Sequence, residues 1–333
     1  MSLVRIIVCV AFLFVLGVGS LASFATAEEP AAAPKVASAK PGAEKPSPLG
    51  SIRFRNLGPG VETTIPVDRH ESETYSQHDM VEILKGDIAS KLKWAPHSPG
   101  NTLDVICKSC IYRKDIWNLE FTFKPMRMIW VDVPQEGGRL EHKMIYYMVY
   151  RVKNPGECMH PVEQKDGKFK IELVDKPPEA KAITFRPLFS LENLDKKKAY
   201  LDRMIPTAIP EIQRREDPNR KLLNSIEMSS QPLEVGKNGE DKSAWGVVTW
   251  EDVDPTLDKF SVVIEGLSNA QKWTDPEGAF KATDVPGTGR TFKHKMLMLH
   301  FWRPGDEFLA DERPIYLGIP GNAGPVDFRW IYR

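Results

Sequence analysis

WNLEFTFKPMRMIWVDVPQEGGRLEHKMIYYMVYRVKNP, residues Trp117–Pro155, is the longest run of strand-forming side chains in the chain. Trp117, Leu119, Phe121 and Phe123 alternate with Asn118, Glu120, Thr122 and Lys124. A period of two sends the sets to opposite faces of a strand, so the apolar set buries one face. Pro125 donates no ladder hydrogen bond, and the strand ends, bulges or lies at an edge there. Ile129, Val131 and Val133 then alternate with Met128 and Trp130. Gln135-Glu136-Gly137-Gly138-Arg139 has the composition of a hairpin turn. Met144–Val152 returns with Ile145, Tyr147 and Val149 against Tyr146, Met148, Tyr150 and Val152. Both of its faces are apolar, which predicts a central strand covered on both sides. The aromatic and methionine stripe reads as core rather than as a binding surface.

Working outward, Ile52–Arg55, Asp79–Leu84, Leu103–Ile106, Phe169–Val174 and Ile183–Leu191 have the length and composition of strands. With the hairpin they predict a β-sandwich over residues 51–192. Ile205, Ala208, Ile209 and Ile212 recur at helical spacing inside the charged segment 193–221, which predicts a short helical linker. Leu223–Ser229, Ala244–Trp250, Phe260–Leu267, Lys293–Trp302, Ile315–Ile319 and Val326–Tyr332 predict a second sandwich over 222–333. The expected fold is therefore mainly β, with two immunoglobulin-like β-sandwich domains joined by a short helical linker.

Residues 1–27 read as a signal peptide. Arg5 precedes the apolar core Ile6–Gly19, and Ala25-Thr26-Ala27 supplies a small-x-small cleavage pattern. The rival reading is an uncleaved anchor, since Ile6–Ala27 carries no charge. Residues 28–50 are Ala, Pro, Lys and Ser with little to bury, the composition of a disordered linker. The expected location is secreted or periplasmic; the alternative is attachment to a membrane by the leader.

The mature chain gives no sign of a polyanion partner. Lys plus Arg and Asp plus Glu are 45 each among 333 residues, so nucleic acid is not an expected ligand. The 27 prolines favour loops and edges over long helices.

Three candidate sites arise. Cys107-Lys108-Ser109-Cys110 precedes the hairpin and Cys158 follows it, and pairing about Gly137–Gly138 places Trp117 opposite Cys158. In an exported protein a disulfide among these cysteines is the default. A zinc site of Cys107, Cys110, Cys158 and His160 is the alternative, and a redox CxxC lacks its βαβ context. Asp252, Asp254 and Asp258 offer oxygen ligands to calcium, yet lack the glycine and terminal glutamate of an EF-hand loop. RHESETYSQHD, with His70, Glu71, Glu73, His78 and Asp79, matches no helical ligand pair and reads as a solvated face. No GxSxG, HExxH, P-loop or strand-following GxGxxG is present.

Two stretches resemble segments of secreted bacterial proteins of unassigned function: AWGVVTWEDVDPTLDKFSVVIEGLSNA (Ala244–Ala270) and LHFWRPGDEF (Leu299–Phe308). MVYRVKNPG (Met148–Gly156) is similar to the strand-then-turn of immunoglobulin-like modules in exported bacterial proteins. Neither resemblance implies a catalytic residue or a cofactor. The expected function is an exported, non-catalytic binding or structural protein whose partner is a protein or cell-surface component. The alternative is a secreted hydrolase that gathers His70, His78, His142 or His300 with acids in a cleft between the halves.

Overall fold

The computed structural model describes residues 57–78, 110–166, 168–175, 182–193, 197–236, 240–276, 288–304, 314–319 and 326–333. In chain order the first strands are β1 (Thr63–Ile65), β2 (Tyr75–His78), β3 (Cys110–Arg113), β4 (Ile116–Trp117), β5 (Glu120–Phe123), β6 (Arg127–Pro134) and β7 (Leu140–Lys153). Then come β8 (Glu157–Glu163), β9 (Phe169–Asp175), β10 (Ile183–Thr184), β11 (Leu188–Asn193) and β12 (Lys198–Leu201). Helices α1 (Ala208–Glu216) and α2 (Ser225–Ser230) precede β13 (Pro232–Leu233), β14 (Ala244–Trp250) and β15 (Lys259–Glu265). β16 (Gln271–Thr274), β17 (Thr291–Trp302), β18 (Tyr316–Leu317) and β19 (Phe328–Tyr332) complete the order. The protein is mainly β, and its sheets are antiparallel.

β7 is the spine of the first large sheet. β6 and β5 pair successively along one edge of it and β14 along the other. Gly137 and Gly138 take positive φ of 83° and 78° in the β6–β7 turn, a backbone region that glycine enters without steric cost. The double-faced apolar pattern has its physical cause here. Tyr146, Met148 and Tyr150 face the second large sheet, ordered β12-β11-β15-β17-β16, with β18 and β19 also on β17. Ring contacts cross between the sheets: Tyr146 to Phe260 at 6.2 Å, Tyr150 to Phe189 at 4.9 Å and Phe123 to Phe301 at 6.1 Å. Such aromatic pairs add about 1 kcal/mol each beyond area burial. Ile145, Tyr147 and Val149 face the other way and pack with Val131, Val133, Trp245 and Val247 beneath Ile205, Ala208 and Ile212.

The strand pairing does not confirm the expected split into two sandwiches. β14 lies on β7 and β15 lies on β11, so strands from both sides of 193–221 share both sheets. They also share one core, and Leu49–Arg333 forms one compact unit. The apolar stripe of α1 covers the outer face of a sheet instead of linking domains. Close packing marks the shared sheet: a Cβ on Gly246 of β14 would lie 2.5 Å from the Tyr150 hydroxyl oxygen.

Local expectations are also revised. Leu223–Ser229 is mostly helix α2, started by a capping box. Asn224 Oδ1 accepts from the Ile226 and Glu227 amides at 3.0 and 2.9 Å, and Glu227 Oε2 accepts from the Asn224 amide at 3.0 Å. Ile183–Leu191 divides into β10 and β11 around Pro187. The Trp117–Lys124 strand divides too: β4 joins β8 and β9, while β5 joins the first large sheet. Trp117 nevertheless stands opposite Cys158, the register its hairpin implied.

The outer edge of β6 is held by side chains. Arg215 donates to the Met128 carbonyl at 2.8 Å, Thr207 to that of Asp132 at 2.6 Å and Arg203 to that of Pro134 at 3.4 Å. An edge so occupied resists pairing with another chain. Ile52–Arg55, Asp79–Leu84, Leu103–Ile106, the leader and the 28–50 segment lie outside the described residues. Among the described residues no helix is long and apolar enough to cross a membrane.

Candidate functional site

The outward end of the β6–β7 hairpin forms the first candidate. β14 accompanies β7 only as far as Tyr146, so Leu140–Ile145 have β6 as their one strand neighbour among the described residues. Directly opposed pairs Trp130–Met144, Asp132–His142 and Pro134–Leu140 share one face. This is the face that carries Tyr146 into the shared core, and towards the turn it runs out into solvent, while the alternate residues Val131 and Val133 are buried beneath α1 on the opposite face. Trp130 is 51% exposed and Leu140 63% exposed. The indole and the His142 imidazole stack with centroids 5.5 Å apart and planes inclined by 14°. His142 Nδ1 lies 2.9 Å from Asp132 Oδ1. An exposed apolar ring thus stands beside a hydrogen-bonded acid–imidazole pair.

A second polar group lies on the second sheet's face away from the shared core. Strand register places Glu192, Ser261 and His300 side by side on β11, β15 and β17. All three are buried. Ser261 Oγ and His300 Nδ1 share a hydrogen bond of 2.8 Å, while Glu192 accepts from Ser190 at 2.9 Å and Arg333 at 2.7 Å. Burial, with the Arg329 charge adding to it, lowers the His300 pKa to about 4, so the ring is neutral at neutral pH. The residue types are those of a catalytic triad, but the order is not. A triad sets the imidazole between hydroxyl and carboxylate, whereas here the hydroxyl stands in the middle. This is the geometry of a satisfied buried pair.

A third group closes one end of the core. Lys295 is fully buried on β17, opposite Tyr332 of β19. Its Nζ donates to Glu73 Oε1 at 2.5 Å and to the Asp68 carbonyl at 2.6 Å. The Tyr332 hydroxyl donates to the same Glu73 oxygen, and Trp330 Nε1 donates to the Pro66 carbonyl at 3.2 Å. Burial raises the Tyr332 pKa, and the bond to Glu73 raises it further, so the phenol stays a donor. Lys114 lies close by with its pKa lowered by burial against the opposing pull of Glu73. Among the described residues Glu73 Oε2 is buried without a hydrogen-bond partner. This group stitches segment 66–74 to the last strand.

Among the described residues the candidates read from sequence have separate partners. Cys158 is buried on β8 and His160 is exposed, 2.6 Å from Asp115 Oδ1. Cys107 and the side chain of Cys110 lie outside the described residues, so the disulfide and zinc readings do too. Asp252 pairs with Lys143 at 3.0 Å, and Asp254 accepts from Lys198 at 3.1 Å and from the Thr256 amide at 3.0 Å. The Asp258 carbonyl accepts from the Arg303 amide at 2.7 Å. Among the described residues no three His, Cys, Asp or Glu side chains gather as a metal site. His70 pairs with Asp68 at 3.1 Å, His142 with Asp132 and His300 with Ser261, three separate partners. The His78 side chain and Asp79 lie outside the described residues. The solvated reading of RHESETYSQHD holds for Glu71 but not for Glu73, which is 3% exposed. Sequence reasoning missed Lys295, although its odd-numbered phase with Leu297, Leu299 and Phe301 was visible. No family model, curated protein or solved structure matches the chain.

Proposed function

We propose that the chain is an exported, non-catalytic binding or structural protein whose partner is a protein or cell-surface component. The observation that supports this reading is the outward hairpin face, where Trp130 and Leu140 stand half or more exposed. Large apolar side chains held outward on a rigid strand pair are the usual anchors of recognition. The two buried polar groups are bonded within themselves, Lys295 to Glu73 and His300 to Ser261. That pattern favours binding over the hydrolase alternative.

Export rests on the Met1–Ala27 leader, with an uncleaved leader as the one route to a membrane. The immunoglobulin-like sandwich belongs to the same proposal, as does membership of a family of secreted bacterial β-rich proteins. Two antiparallel sheets over one core are the plan on which many exported modules present edges and hairpins. A photo-activated cross-linker placed at Leu140 and used on intact cells tests the reading. Capture of a defined partner there, and none from position 170 on β9, supports it; equal or no capture from both overturns it.

A further inference from the structure

Resting on the binding-protein reading, we infer that the partner of the β6–β7 face is a polysaccharide, held by Trp130, His142 and Asp132. Size comes first. From Trp130 to Pro134 the face spans five residues, four steps of about 3.3 Å or roughly 13 Å, and is two strands wide at about 4.8 Å spacing. A stable protein partner covers about 800 Å² on each side, several times what such a face offers. A chain of sugar rings needs only a narrow strip.

The chemistry of the face fits the same ligand. A pyranose ring presents an apolar C–H face and a rim of hydroxyls. The half-exposed indole of Trp130 supplies an apolar surface for the first. Asp132 and His142, mostly exposed and 2.9 Å apart, supply an acceptor and a donor–acceptor for the second. Their pairing fixes both side chains before a ligand arrives, which lowers the ordering cost of binding. The Trp130–His142 stack holds the indole on the same strand pair. Among the described residues no cluster of like charge stands on this face, so a neutral glycan fits better than a polyanion. The neighbouring carboxylate of Glu141 is paired with Lys143, at 3.3 Å.

The test uses the full chain and its Trp130→Ala, Asp132→Asn and Trp273→Ala variants. Depletion from solution by insoluble cellulose, chitin, xylan and peptidoglycan sacculi is measured, with thermal unfolding as the control for folding. The expected result is binding to at least one polysaccharide, weakened about tenfold or more by Trp130→Ala and severalfold by Asp132→Asn. Trp273→Ala, on a different hairpin, leaves it unchanged. Absence of depletion by the whole panel overturns the inference, as does depletion that Trp130→Ala leaves intact. If a cross-linker at Leu140 then captures one protein, the binding-protein reading survives while the polysaccharide is excluded. If it captures nothing, both fall.

Discussion

Lys295 and Glu73, 222 positions apart in the chain, meet at 2.5 Å with neither side chain in contact with bulk water. Buried charges are stable only when paired, and removal of one partner leaves the other uncompensated. Lys295→Met is therefore expected to lower unfolding free energy by about 3–5 kcal/mol. Lys295→Met combined with Glu73→Leu is expected to recover much of that loss. Urea denaturation of the single and double variants measures the coupling.

His300 makes acid sensitivity a property of the second sheet. Its folded pKa of about 4 lies below the ordinary value of 6.5, so the unfolded chain binds the proton first as pH falls. The associated stability is complete above about pH 6.5 and is lost as pH falls through about 4, amounting to up to about 3 kcal/mol. His300→Gln keeps a partner for Ser261 and removes the titration. Its stability, measured between pH 7 and 4, is expected to fall less steeply than that of the parent protein.

Gly246 sits where two side chains close over the β14 backbone. An added methyl group would meet the Tyr150 ring at 2.5 Å and the Met228 terminal carbon at 3.0 Å. Gly246→Ala is expected to cost about 1–3 kcal/mol through overpacking. A shift in the thermal midpoint, with no change in the far-ultraviolet spectrum of the folded state, checks this.

Asn224 carries the start of α2. Its replacement by Ala leaves the Ile226 and Glu227 amides without their side-chain acceptor. The expected cost is about 1 kcal/mol. Asn224→Asp, which keeps the acceptor, is expected to stay near the parent value in the same denaturation experiment.

Much of the fold was legible because periodicity is local. The two-residue alternation of β5 and β6, the glycine turn and the double-faced β7 depend on neighbours in sequence. The opposition of Trp117 and Cys158 agrees with counting outward from that turn, although β6 and β5 pair with β7 one and two residues off that count. The pairing of β7 with β14 and of β11 with β15 is different, because a strand pattern states which face is apolar and not which strand lies beside it. The helix at Ser225 is masked by Leu223 and Ile226, which weigh as strand formers, while its signature lies in Asn224 and Glu227. The candidate face was half legible. Trp130 stood out of phase with Val131 and Val133, but its exposure depended on how far the second sheet reaches over the face it shares with Tyr146.

The bond between segment 66–74 and the last strand also sets an order in time. A ribosome releases Glu73 long before Tyr332, and the two meet only after nearly the whole intervening chain has emerged. Contacts of such span carry a large loop-closure entropy and form late, so this end of the core closes only once Tyr332 has emerged. Until then Glu73 waits without its cation, and the nascent polypeptide remains open to whatever handles unfolded chains.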